Sequence, residues 1–290
     1  MCSAATEVSR SLTHGLVHRG RSSTIVPIHA DGSRQPLYLI HEIVGEIDCY
    51  YPLARALGSD QPIYAIQLTG REQERPLGVD AIARAYIQDL RAFHPAGPYI
   101  VGGYSFGGII AFEMARVLHE QGEDSPLVVM IDTFLHASNQ RVSYREKMGV
   151  FWQNARTGGV DYLSSKVSIK GHYWKHNAEN RLLSLAGSVY QALGQLRPAC
   201  VRKAQAEIAN RRVLAVYQPG HYFGKVLLIS CANRYETLSM REDPLLGWGA
   251  LAGSGFEMCA IPADHIALMK EPAIHMVAEQ LRARLALIGS

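Results

Sequence analysis

Ser105 lies between two glycines in Gly103-Tyr104-Ser105-Phe106-Gly107, a spacing in which a serine can act as a nucleophile. The apolar run Pro98-Tyr99-Ile100 precedes this segment and an amphipathic stretch from Ile109 to Gln121 follows it. Strand, sharp turn and helix in that order make a nucleophile elbow, which places the serine on a strained turn at a strand tip. Gly103 and Gly107 are expected to be required, because side chains there would collide with the neighbouring strand and helix, and Gly108 adds room for the helix to approach. A Gly/Ser-rich loop without chemistry is the competing interpretation, and the flanking strand and helix patterns argue against it.

A serine hydroxyl needs a base to take its proton and a third group to orient that base. Ala260-Ile261-Pro262-Ala263-Asp264-His265 places His265 just after the apolar segment Phe256 to Ile261, where the base of the chain order Ser, Asp, His falls. The other histidines are less well placed: His172, His176 and His221 lie in a long insertion, and His119 and His275 within helical patterns. For the acid, Leu127-Val128-Val129-Met130-Ile131-Asp132 is an apolar strand ending in a carboxylate, and a carboxylate after five residues of buried type needs a partner. Glu236 and Asp243, which follow the strand Val226 to Ser230, compete for the role; strand-end placement and chain order favour Asp132. Ser105, Asp132 and His265 are therefore the expected catalytic residues.

A tetrahedral intermediate also needs hydrogen-bond donors aimed at its oxyanion. One is expected from the backbone N–H after the nucleophile, Phe106, and another from the loop after the early strand Leu37-Tyr38-Leu39-Ile40-His41. The N–H of Ile43, in Glu42-Ile43-Val44-Gly45, is the candidate for the second. His41 is read as a structural hydrogen-bonding residue rather than a second base.

The chain resembles the thioesterase domains that end nonribosomal peptide and polyketide synthases, and it is similar to the fatty acid synthase thioesterase. The resemblance is carried by Pro36 to His41, by Gly97 to Gly108, by the strand ending at Asp132, by Tyr217-Gln218-Pro219 leading to Gly224-Lys225-Val226, by Asp243-Pro244 with Gly247-Trp248, and by Asp264-His265 with Glu271-Pro272. It covers residues 36 to 290. The departure is His41-Glu42, where many relatives carry His-Gly or His-Pro; a backbone donor at Ile43 does not depend on that side chain. The resemblance implies an α/β-hydrolase fold and an acyl or peptidyl chain arriving as a thioester on the phosphopantetheine arm of a carrier protein. It further implies an acyl-enzyme ester at Ser105, proton transfer through His265, release by water or by an internal hydroxyl or amine, and no metal or bound cofactor.

The elements that must position these residues are legible from periodicity. Strands at about 37–41, 63–68, 98–104, 127–132, 225–231 and 256–261 alternate with helical patterns at about 49–58, 79–94, 106–121 and 272–287. Alternation of this kind predicts an α/β fold with a doubly wound, mostly parallel sheet, whose strand C-terminal ends gather Ser105, Asp132, His265 and the Ile43 loop on one rim. Residues 1–35 are Ser-, Thr- and Arg-rich, without helical or strand period until Ile25-Val26-Pro27-Ile28, and are expected to be an N-terminal linker, leaving 36–290 as the domain. Between Asp132 and Lys225 lie 92 residues, more than one crossover needs, and residues 137–224 are expected to form a helical lid.

Charge is divided unevenly. Residues 137–224 carry 13 Lys and Arg against 4 Asp and Glu, a net of +9 within a chain of net +3. A solvated helix face is the ordinary meaning of such a surplus, and docking of an acidic carrier protein is the functional one. Nothing that reads nucleic acid accompanies the basic charge. The 290 residues are 48% hydrophobic and 19% charged, as in a globular enzyme. The five cysteines are odd in number and lack C-x-x-C spacing, which suits the cytoplasm and argues against a disulfide framework or zinc site. No apolar run approaches the roughly 18 residues of a membrane span, and no secretory segment opens the chain. The residues leave room for a stand-alone editing thioesterase, for a carboxylesterase or acyltransferase with the same triad, and for a binding module with a decayed site. The last is disfavoured because nucleophile, acid and base are all present in order.

Overall fold

Among the described residues seven strands build one sheet: β1 (Ile25–His29), β2 (Leu37–Ile40), β3 (Ile63–Ile66), β4 (Ile100–Tyr104), β5 (Val128–Ile131), β6 (Val226–Cys231) and β7 (Phe256–Ile261). The fold comes from a computed structural model that describes residues 24–68, 78–123, 125, 127–135, 174–193, 195–232 and 245–288, with single positions 152, 156, 159 and 171. The strand order is β1-β3-β2-β4-β5-β6-β7. Only β1 runs antiparallel, against β3, and every other pairing is parallel. Chain order reverses direction between β2 and β4, which makes that pair the switch point of the sheet.

The helices are α1 (Tyr50–Leu57), α2 (Val79–Phe93), α3 (Phe106–Glu120), α4 (helical over residues 174–192), α5 (Ala199–Val216) and α6 (Ala273–Leu285). Because strand side chains alternate, each strand feeds two cores. Tyr38, Ile40, Val101, Val128, Met130 and Leu228 pack with α2 and α3 on one face. Leu37, Leu39, Ile100, Val129, Ile131 and Leu227 pack with α1 and α6 on the other. Both faces are covered, which is why β2, β4, β5 and β6 are wholly buried and read in the sequence as unbroken apolar runs rather than alternating ones. Each Leu or Ile fully buried in this way contributes roughly 1.5–3 kcal/mol.

One expectation is corrected. Part of the segment assigned to a linker, residues 1–35, is sheet: Ile25–His29 forms the edge strand β1. Pro27 lowers the strand signal, yet proline is tolerated at an edge, where its missing N–H costs no ladder bond, and the register shifts between Pro27 and His29. Within the insertion the described residues are helical over α4 and α5.

Candidate active site

The elbow is a consequence of how closely α3 approaches the sheet. A Cβ on Gly107 would stand 2.2 Å from the carbonyl oxygen of Ile40 in β2, and one on Gly103 would stand 2.3 Å from the carbonyl carbon of Gly107. Those contacts are with backbone, which cannot step aside, so the chain turns from β4 into α3 only with glycine at both places. Ser105 occupies the turn with φ 53 and ψ −113, in the left-handed half of conformational space. Its N–H donates to Ile131 O at 2.8 Å, and its carbonyl accepts from the Thr133 hydroxyl at 3.2 Å. Beneath the turn, the buried Tyr50 hydroxyl accepts the Tyr104 N–H at 2.9 Å and donates to Ile40 O at 2.5 Å, tying β2 to β4 at the site.

Asp132 leaves β5 with φ 41 and is buried. Its Oδ1 accepts the Cys231 N–H at 3.0 Å; its Oδ2 accepts from His265 Nδ1 at 2.5 Å and from Cys231 Sγ at 3.2 Å. Burial opposes ionisation of this carboxyl, but the bonds from His265 and from the Cys231 N–H and thiol outweigh it and hold Asp132 below the ordinary carboxylate range. An ionised Asp132 beside Nδ1 fixes the neutral imidazole as the Nδ1–H tautomer and leaves Nε2 to accept a proton. The Tyr104 ring stacks on His265 at 4.7 Å between centroids, and its hydroxyl donates to His265 O at 2.7 Å. Burial, and then the charge of Asp132, raise the Tyr104 hydroxyl above its ordinary range, so it stays a donor. Tyr104, the residue before Ser105, thus clamps His265.

The loop after β2, expected to supply the second oxyanion donor, is organised by His41. Its Nδ1 lies 2.7 Å from Glu42 O, an acceptor, so the neutral ring carries its proton there and Nε2 accepts from the Tyr86 hydroxyl at 2.7 Å. The ring also stacks on Phe106, 5.7 Å away. Gly45 N–H donates to the same Glu42 carbonyl at 2.9 Å, closing the turn. Ile43 N–H has no acceptor among the described residues, and the Phe106 N–H, as the first of α3, has no intrahelical partner. Burial first, then the nearby Glu46 and Asp48, raise the Glu42 carboxyl above its ordinary range against the pull of Lys203 and His265.

The competing residues sit elsewhere. His176 bonds to Glu207 inside the insertion, His275 pairs with Glu271, His221 stacks on Phe223, and His119 packs edge-on to Tyr222. His172, Glu236 and Asp243 lie outside the described residues. Among the described residues no three His, Cys, Asp or Glu side chains group so as to hold a metal ion, and no helix is long and apolar enough to cross a membrane. Tyr104, Cys231 and Thr133 were not anticipated from the sequence. Tyr104 stood inside the elbow motif itself, whereas Cys231 carries no local signal, because it matters only through the pairing of β6 with β5.

The thioesterase domain family matches residues 35–285. The chain belongs to that family. Over 126 residues the thioesterase domain is 37% identical to malpinin synthetase of Mortierella alpina, covering 43% of this chain and 2% of that protein. It also resembles the crystal structure of the NocB thioesterase domain from the nocardicin cluster, with a TM-score of 0.63, 22% identity, and coverage of 91% of this chain and 100% of the other. A four-domain nonribosomal peptide synthetase bound to AMP and glycine matches with a TM-score of 0.66 and 24% identity over 90% of this chain and 20% of that one. The structural likenesses establish the α/β-hydrolase fold of these thioesterase domains. The chain spans 2% of the length of malpinin synthetase and 14% of that of atromentin synthetase of Tapinella panuoides. As a thioesterase domain, it is a hydrolase acting on thioesters.

Proposed function

We propose that this thioesterase domain releases an acyl or peptidyl chain from the phosphopantetheine arm of a carrier domain, through a covalent intermediate on Ser105. The observation that carries the proposal is the Asp132–His265 pair, 2.5 Å apart, clamped by the residue that precedes Ser105. In the first half-reaction Nε2 of His265 takes the Ser105 proton while Oγ bonds to the thioester carbonyl carbon. The oxyanion forms against the N–H groups of Ile43 and Phe106. When the intermediate collapses, the C–S bond breaks and the thiol leaves with the proton from His265, giving a Ser105 ester. In the second half, His265 takes a proton from water or from a hydroxyl or amine of the chain. That nucleophile attacks the ester, and Ser105 departs with the proton as acid or ring is released. Asp132 stabilises the imidazolium in both halves without accepting its proton.

The same reading assigns residues 36–290, together with the edge strand β1, to the enzyme domain and 137–224 to its lid. The net +9 of the lid supports docking of an acidic carrier. Among the described residues Cys49, Cys200, Cys231 and Cys259 form no disulfide, which suits a cytoplasmic setting. Incubation with a slow acyl N-acetylcysteamine thioester, followed by peptide mass mapping, tests the core of the proposal. One acyl group on the peptide carrying Ser105, absent from a folded Ser105→Ala variant, is expected. An acyl group on a cysteine or another serine would refute it. Turnover of oxygen esters faster than of thioesters would make the domain a carboxylesterase instead.

A further inference from the structure

The insertion touches the oxyanion loop directly. On α5, Lys203, Glu207 and Asn210 fall at i, i+4 and i+7 and share one face of the helix. Lys203 Nζ lies 3.3 Å from Glu46 Oε1 at the far end of the loop. Glu207 turns instead to α4, accepting from Asn180 Nδ2 at 2.8 Å. Asn210 is fully buried, and its Nδ2 donates to Ile43 O at 2.6 Å. The carbonyl on the other side of Ile43, that of Glu42, is held by His41 Nδ1 and Gly45 N–H. Both peptide planes that flank Ile43 are therefore pinned at their oxygens, one by the sheet side of the molecule and one by the insertion. The Ile43 N–H lies in the first plane, opposite the Glu42 carbonyl, and the Asn210 bond restrains it from the second plane, across the two soft dihedrals of Ile43 that join them.

We propose that Asn210 is a positioning residue of the oxyanion hole: α5 aims the Ile43 N–H, so the hole is complete only while this helix is docked on the loop. The inference rests on Ile43 being an oxyanion donor. It gives the insertion a part in the chemistry beyond covering the substrate. A donor must sit 2.7–3.1 Å from the developing oxyanion, and its bond weakens steeply once the angle opens. Removing such a donor outright costs about 10²–10³ in kcat, so a donor that is loosened but present is expected to cost about 10- to 100-fold.

The test is kinetic, on the full chain with a soluble acyl N-acetylcysteamine thioester, using Asn210→Ala and Asn210→Asp. The expected result is a kcat about 10- to 100-fold lower with KM changed less than about threefold, since the lost interaction is made in the transition state. The inhibition constant of a trifluoromethyl ketone that mimics the acyl chain should rise in parallel with the fall in kcat. Asn210→Asp, which is isosteric but sets an acceptor against the Ile43 carbonyl, should be worse than Asn210→Ala. If Asn210 only fills space, the order reverses: the smaller alanine lowers the melting temperature more, and kcat per folded molecule is unchanged in both, which overturns the proposal. Should Asn210→Asp fail to fold, Asn210→Ser replaces it; serine keeps a donor and should retain more kcat than alanine, and equal values would overturn the proposal. Acylation of wild-type Ser105 is measured alongside. An unlabelled Ser105 would sink the catalytic reading itself, whereas a labelled Ser105 with indifferent Asn210 variants sinks this inference alone.

Discussion

Replacing Asp132 with asparagine keeps the shape of the side chain and reverses what His265 sees. The position of Oδ1 faces a backbone donor, the Cys231 N–H at 3.0 Å, and that donor cannot turn away. The amide oxygen must take this place, which puts the amide nitrogen where Oδ2 stood, 2.5 Å from Nδ1. The imidazole then has to accept at Nδ1 and carry its proton on Nε2, where it cannot take the proton of Ser105. Two losses can be separated by size. Losing one charge-assisted hydrogen bond alone, at about 1.5–3 kcal/mol, would slow the reaction by roughly 10- to 150-fold. Inverting the tautomer costs more: the like change in a serine protease costs about 10⁴ in kcat, or about 5.4 kcal/mol at 1.36 kcal/mol per decade. The expected loss for Asp132→Asn is therefore on the order of 10⁴. Thiol release from an acyl N-acetylcysteamine thioester, followed with a chromogenic thiol reagent, measures it, and circular dichroism confirms that the variant is folded. A loss under about 10-fold, or a larger loss in Asp243→Asn, would move the acid to the segment after β6 and refute the tautomer argument.

The elbow, the acid and the lid give three further expectations. Gly107→Ala should lower the urea midpoint by the equivalent of about 1–3 kcal/mol or more, because its Cβ would meet the Ile40 carbonyl at 2.2 Å; Gly171→Ala, with nothing within 4 Å, should not lower it. An unchanged midpoint in Gly107→Ala would show that α3 can retreat from β2. Asp132 has a depressed carboxyl pKa in the folded state, so its contribution to stability is complete above its unfolded value near 3.9 and is lost as pH falls through the lower folded value. Urea titrations from pH 7 down to about 3 should show wild type losing stability relative to Asp132→Asn only below about pH 4, and a gap constant across that range would contradict the ionised acid. If the +9 of residues 137–224 docks a carrier, replacing several of Arg141, Arg145, Lys147, Lys166, Lys170 and Lys175 with glutamine should raise KM for carrier-bound substrate and spare a small soluble thioester. Equal kinetics on carrier substrate at low salt would return that charge to an ordinary solvated surface.

What was legible in the sequence was local. The elbow announced itself because a strand, a glycine-flanked serine and a helix are contiguous, the acid because it follows an apolar run that both core faces require, and the base because it lies just past the last strand, β7. The run Ile25-Val26-Pro27-Ile28 carries a period of its own but not its place in the sheet, which is decided by pairing with β3 about forty residues on: Ile25 pairs with Ile66 and Pro27 with Tyr64. The same holds for the supporting residues of the site. Tyr104 and His265 are 161 residues apart, and Ile43 and Asn210 are 167 apart. An asparagine in a largely polar helix carries no mark of being buried, and a cysteine at a strand end carries no mark of facing a carboxylate.

Conformational cost is concentrated where the chemistry is proposed. Among the described residues three non-glycine positions have positive φ, and two of them are Ser105 and Asp132. Both arise from one geometric demand. The Ser105 N–H still bonds to Ile131 O at 2.8 Å and the Asp132 N–H to Ile229 O at 2.6 Å, so the parallel ladder holds each residue one step past the end of its strand. The chain must then leave the sheet at once, and a left-handed residue is the shortest way to turn. Such a residue costs of order 1–3 kcal/mol and persists only where its surroundings fix it. Here the fixing elements can be named: the Thr133 hydroxyl on Ser105 O, Trp248 Nε1 on Thr133 O at 3.0 Å, and the Cys231 N–H on the Asp132 carboxylate. Thr133 joins the two turns, since it follows Asp132 in sequence and bonds to Ser105 in space. Ser105 and Asp132 are therefore held by one shared strut, and the distance between them is set by backbone that the buried Trp248 anchors in the core.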